Sequence, residues 1–284
     1  MIRGTGTFPS VCISPPARPQ RRWSSSATGW AALRENNPYL GNHWAARGYV
    51  AVFVQHIGSD NSVWKSVAPA ERMNAMRAAA GVQNFLLRVK DIPVVIDALE
   101  RWNKEDGHVL AGRLDLKHLG MSGHSFGAVT TQAVSGQSFP SAHTSITDPR
   151  IKAAVAFSPS PPSIRKDTAE SFSTVKIPWM LMTGTKDNAP IGNADAKSRL
   201  MVYPALPPGN KYQVVLWNAE HSAFGDGPLP GETEPRNPNH HRVILALSTA
   251  FWDASLKDDA AAKKWLDGDG PKSVLEKQDT WERK

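Results

Sequence analysis

The stretch His118-Leu119-Gly120-Met121-Ser122-Gly123-His124-Ser125-Phe126-Gly127 decides the reading of this chain. A short apolar run leads into Gly123-His124-Ser125-Phe126-Gly127, a G-x-S-x-G pentapeptide, and Ala128-Val129-Thr130-Thr131-Gln132-Ala133-Val134 follows as a buried helix. In that setting a sharp strand-to-helix turn lifts the serine hydroxyl above the sheet edge, and the flanking glycines let two backbones pass closely. The other reading is a glycine-rich turn whose serine only caps the helix.

Around this segment the chain alternates strand and helix signals from Asn37 onward, which predicts a mostly parallel sheet with helices on both faces. Tyr49–Val54 reads as a strand buried on both sides, and further strands are expected at 116–122, 152–158, 178–184 and 212–217. The stretch Glu71 to Leu87 is expected to be helical. Asp91-Ile92-Pro93 is expected to open a helix to about Asn103, with Pro93 in its first turn. A last strong helix covers 240–256. The pattern divides the chain into an atypical arm (1–33), one α/β domain (34–256) and a charged, partly helical tail (257–284).

Composition bounds the function. The 284 residues, 40% apolar with ten Trp, suffice for one large core. The single cysteine, Cys12, excludes an internal disulfide and a cysteine-ligated metal site. Five of the net +7 charges lie in residues 1–34, which contain Arg3, Arg18, Arg21, Arg22 and Arg34 and no acid; the remaining 250 residues carry +2. That distribution has no basic stripe and argues against nucleic acid as a partner. No run of 18 apolar residues offers a membrane span. The arm lacks the apolar core of a secretory signal, so localisation is not legible.

A serine nucleophile needs a base, and the base needs an orienting acid. On this topology they follow the serine in the order acid, histidine, from loops after later strands. Asp187, in the loop after Trp179–Gly184, is the candidate acid, with Asp195 in reserve; an Asx-turn is the alternative role for Asp187. His43, His56, His108 and His118 precede the serine, His143 precedes the acid, and His240 and His241 begin a helix. His124 belongs to the elbow itself. His221, just after Tyr212–Trp217, is therefore the candidate base. The backbone N–H of Phe126 at the helix start is a candidate oxyanion donor. Trp44, Trp64, Trp179 and Trp217 are candidate pocket walls or core. Segment 59–86 is a candidate cap, and loop 225–239 either borders the cleft or is plain surface.

Ser125, Asp187 and His221 in this order resemble the α/β-hydrolase superfamily over roughly residues 35–256. Arg34-Glu35-Asn36-Asn37-Pro38-Tyr39-Leu40-Gly41 with Trp44–Val50 is similar to one branch. It holds platelet-activating-factor acetylhydrolase-like enzymes, cutinase-like polyesterases and predicted dienelactone hydrolases. The resemblance implies the α/β-hydrolase fold and a cofactor-free serine hydrolase acting on a small-molecule ester. Serine rather than cysteine at position 125 favours ester hydrolysis. A non-catalytic binding protein on the same scaffold, and a cofactor-free haloperoxidase or lyase, are the competing expectations.

The chain departs from that branch at one place. The family has a His-Gly strand and Gly-rich turn, source of a second oxyanion N–H, where this chain has Ser26-Ala27-Thr28-Gly29-Trp30-Ala31-Ala32-Leu33. The N-terminal strands are therefore expected to be missing or corrupted. Losing one donor is expected to impair hydrolysis by about 10²–10³ in rate. Degenerate codons allow Trp23–Leu33 to be encoded so that the frame displaced by two bases reads Val-Val-Phe-Ser-His-Gly-Leu-Gly-Gly-Ser, which restores the motif. The coding DNA tests this: the codons of Ala27, Thr28, Gly29 and Ala31 must end in C, G, C and G, and any other third base at these positions removes the explanation.

Overall fold

The computed structural model describes residues 12–14, 37–140, 143–229 and 231–284. Its strands are β1 (Cys12–Ser14), β2 (Val50–Ala51), β3 (Asp115–His124), β4 (Ser138–Phe139), β5 (Thr144–Ser145), β6 (Ile151–Phe157), β7 (Trp179–Lys186), β8 (Lys211–Glu220) and β9 (Thr280–Arg283). The helices are α1 (Pro38–Ala46), α2 (Ser62–Lys65), α3 (Arg72–Ala79), α4 (Val82–Lys104), α5 (Phe126–Val134), α6 (Thr168–Phe172), α7 (Ala196–Arg199), α8 (Val202–Ala205), α9 (Pro238–Leu256) and α10 (Ala260–Asp267).

Seven strands form one mixed sheet in the order β2-β1-β3-β6-β7-β8-β9. The pairs β3–β6, β6–β7 and β7–β8 are parallel. β1 is antiparallel to both β2 and β3, so β2 runs in the same direction as the four parallel strands. Five of the seven strands thus end at one rim. β4 and β5 pair separately.

Alternation along the strands assigns the two faces. Ala153, Val155 and Phe157 of β6 pack with Met180, Met182, Val214 and Leu216 under α1, α9 and α10. The intervening Ala154 and Ala156 pack with Trp179, Leu181 and Phe172 on the opposite side, beside Ala128 of α5. A third cluster joins Leu119 and Met121 of β3 to Val89, Ile92, Val95, Ile96 and Leu99 of α4. Both faces of β6 and β7 are buried, which is why Ala153–Phe157 and Trp179–Met182 read as continuous apolar runs. The architecture is α/β, with helices around a mostly parallel sheet.

Several boundaries differ from those expected. The run Tyr49–Val54 supplies only the two-residue β2, although Tyr49 and Val54 are fully buried. The described pairing with β1 falls on Val50 and Ala51. The helix expected to open at Asp91 instead begins at Val82 and carries Pro93 in its interior. Proline withholds one N–H there, at a cost of about 3 kcal/mol. The buried stripe Val89, Ile92, Ile96 and Leu99 offsets this cost by holding both halves of the helix against the sheet.

The tail is more than a charged helix. Leu266 of α10 is fully buried, and β9 pairs antiparallel with β8, its Trp281 stacked on Tyr212 at 5.6 Å. Within the arm expected to lack regular structure, Cys12–Ser14 form a strand that fills the interval between β2 and β3. Unpaired backbone groups on two buried strands require a partner there. The rest of the arm, including Ser26–Leu33, lies outside the described residues.

Candidate active site

Three loops at the common rim bring the candidate residues together. β3 ends at His124, and Ser125 turns the chain into α5 with φ 58° and ψ −119°. A non-glycine residue in this region costs about 1–3 kcal/mol. The turn is held by the Ser125 N–H, which donates to the Phe157 carbonyl at 3.1 Å. A Cβ at Gly123 would lie 2.3 Å from the Gly127 carbonyl oxygen, so the close strand–helix pass requires glycine.

Asp187 follows β7 and is completely buried; His221 follows β8 in a 3-10 turn and is 3% exposed. The Ser125 hydroxyl lies 2.8 Å from His221 Nε2, and His221 Nδ1 lies 2.7 Å from Asp187 Oδ1. Thr183 Oγ1 donates to the other carboxylate oxygen, Oδ2, at 2.8 Å. Burial by itself would raise the Asp187 pKa, but the Arg199 guanidinium and the His221 hydrogen bond outweigh it and hold the carboxyl well below the usual range. An ionised carboxylate only accepts, so Nδ1 carries the imidazole proton and Nε2 presents a lone pair to the serine hydroxyl. Such an arrangement can take a proton from Ser125 as the hydroxyl attacks an electrophile.

The structure thus brings Ser125, His221 and Asp187 into one hydrogen-bonded line. Phe126 occupies the first position of α5, where its N–H has no intrahelical acceptor and is free to meet a developing oxyanion. Asp195 does not join the line: its side chain accepts the Ser198 N–H at 2.7 Å and caps α7.

Sequence reasoning missed several neighbours. His124, between the glycine and the nucleophile, is 9% exposed and its ring lies 4.5 Å from that of His221. Burial first, and the adjacent His221 second, keep its pKa well below the ordinary histidine value. Neutral His124 therefore shields His221 from water without placing a second cation beside it. Loop 225–239 is tied to the base: Glu232 accepts the Ser222 N–H at 2.8 Å, and Arg236 donates to the Ser222 carbonyl at 3.0 Å. Glu220 accepts the N–H groups of Thr233 and Glu234 at 3.0 and 3.1 Å. No local sequence pattern marks these bonds.

A cavity of about 350 Å³ behind the base is lined by Glu220, Ser222, Asp226, Arg236 and His241 among others. None of Ser125, Asp187 or His221 lines it, so it is not the reaction cleft. Trp44 and Trp179 are core, donating to Ser248 and Ser135 respectively, and do not wall a pocket. Trp217 is 41% exposed. In the segment expected to cap the site, α2 and α3 bury no residue completely. Among the described residues no helix is long and apolar enough to cross a membrane.

Asp187 makes stability depend on pH. Its folded pKa lies below its ordinary value of 3.8, so its contribution is present above that value and is lost as the pH falls through the folded one. The melting-temperature gap between the parent chain and Asp187→Asn is therefore expected to be widest near neutrality and to narrow below about pH 4. A gap that stays constant from pH 7 to pH 3 contradicts this.

No family model matches the chain, and no curated protein matches it significantly.

Proposed function

We propose that this chain is a serine hydrolase of carboxylic esters with the α/β-hydrolase fold, in the acetylhydrolase-like, cutinase-like and dienelactone-hydrolase-like branch. The observation that carries the reading is the line Ser125–His221–Asp187, closed at 2.8 and 2.7 Å by residues 96 and 34 positions apart. Ser125 attacks the ester carbonyl while His221 Nε2 takes its proton. The tetrahedral oxyanion meets the Phe126 N–H, and His221 returns the proton to the leaving alcohol. Water, deprotonated in turn by His221, then cleaves the acyl-enzyme. Asp187 holds the tautomer and compensates the transient imidazolium.

The strained serine favours catalysis over binding. A binding module gains nothing from holding Ser125 at φ 58°, whereas an exposed nucleophile needs that geometry. A fluorophosphonate probe tests the reading, since it is expected to label the chain at Ser125. An unlabelled, folded chain contradicts hydrolysis and returns the scaffold to a non-catalytic role. A panel of esters graded by acyl length then defines the substrate.

A further inference from the structure

Arg199 is among the most deeply buried charged side chains described, 1% exposed, and no step above uses it. It ends α7, twelve positions after Asp187. Nε donates to the Asp187 carbonyl at 2.7 Å and lies 3.1 Å from Asp187 Oδ1. Nη1 donates to the carbonyls of Ser158 and Pro159 at 2.7 and 3.1 Å, and lies 3.3 Å from Ser160 Oγ. Nη2 stands 3.3 Å from His221 Nδ1. Since Nδ1 carries its proton toward Asp187, this last approach sets two donors side by side around one acceptor.

Two features make this more than packing. First, the carboxylate oxygen that receives the imidazole proton, Oδ1, is the one the guanidinium faces, while Thr183 holds Oδ2. The orientation of the carboxylate is thus set from both ends. Second, Arg199 crosses between two rim turns: the Asp187 loop and the Ser158 turn at the end of β6. Ser158 has φ 59°, and its N–H donates to the Met182 carbonyl at 2.7 Å. A planar fork with five donors spans these acceptors at once; a lysine ammonium does not.

We infer that Arg199 is a positioning residue of the hydrolytic site, acting through Asp187 to fix the carboxylate that orients His221. The inference rests on the esterase reading. It also sets a charge relation: the imidazolium that forms during catalysis is faced by Asp187, by Arg199 and by the ring of His124. Arg199 shares the negative charge of Asp187.

The test compares Arg199→Gln, Arg199→Lys, Asp187→Asn and the Arg199→Gln/Asp187→Asn double variant. Activity on p-nitrophenyl acetate is read alongside the far-downfield proton resonance of the His221–Asp187 hydrogen bond. Arg199→Gln is expected to lower kcat by about ten- to a hundredfold, the scale of a small misplacement of a catalytic group. KM is expected to stay within about twofold, with the far-downfield resonance weakened or displaced. Arg199→Lys is expected to recover only part of kcat. On the Asp187→Asn background, Arg199→Gln is expected to cost nothing further, because the group it acts through is already altered.

A folded Arg199→Gln or Arg199→Lys variant with parental kcat and downfield resonance overturns the inference, as does an undiminished loss on the Asp187→Asn background. Where Arg199→Gln does not fold, Arg199→Lys and the charge-neutral double variant carry the same decision. A parent chain without Ser125-dependent turnover defeats the esterase reading instead. The downfield resonance then still reports on Arg199: its persistence in Arg199→Lys and Arg199→Gln overturns the positioning role.

Discussion

Ser125→Ala is expected to remove nearly all ester hydrolysis and to abolish fluorophosphonate labelling. In the proposed mechanism this hydroxyl forms the acyl-enzyme, and it lies 2.8 Å from His221 Nε2, whose ring the buried Asp187 carboxylate holds at 2.7 Å. In serine hydrolases, removing the nucleophile costs about six orders of magnitude in kcat. The full factor is visible only if the parent rate is high. The labelling assay is therefore the cleaner readout, since it counts modified protein rather than turnover. Because alanine relieves strain at φ 58° less well than glycine, the variant is expected to melt close to the parent. Labelling that survives in Ser125→Ala places the nucleophile elsewhere and removes the mechanism.

Gly184→Ala is expected to disable the site from a distance. Gly184 lies in β7, three positions before Asp187, and a Cβ there would meet the Ala219 carbonyl oxygen at 2.1 Å and the Ala219 Cβ at 2.6 Å. Both obstacles belong to β8, two positions before His221, so neither can swing aside as a flexible side chain would. The two strands must separate at the point where acid and base emerge. Overpacking of this kind costs about 1–3 kcal/mol, and a shift of about 1 Å between acid and base costs about a hundredfold in rate. Gly123→Ala meets the Gly127 carbonyl oxygen at 2.3 Å and is expected to move the nucleophile in the same way. Thermal unfolding and turnover per folded molecule check both variants. Parental values in Gly184→Ala would mean that the β7–β8 spacing does not set the triad.

The elbow was legible because its chemistry is local. Two glycines, a serine and the apolar run before them specify a tight strand-to-helix turn within ten residues, and the structure places β3, Ser125 and α5 there. The four parallel strands were legible for a related reason: burial on both faces leaves apolar stretches such as Ala153–Phe157, Trp179–Met182 and Val214–Leu216. Pro93 misled the boundary of α4, because a local rule about helix starts was overridden by a buried stripe running through both halves. Strand β9 was not legible, since Thr280–Arg283 has polar composition and gains its place by pairing with β8.

Chain order and residue chemistry alone singled out Ser125 as the candidate nucleophile and named candidates for the acid and the base. They favoured Asp187 and kept Asp195 in reserve, because both follow β7 in polar loops. Only the tertiary structure separates them, by burying one against His221 and spending the other on a helix cap. It alone reveals Arg199 beneath the acid, His124 against the base, and Glu232 and Arg236 around Ser222. These contacts join residues from separate strands and loops, and their distances are set by sheet register, which no local spacing in the chain encodes.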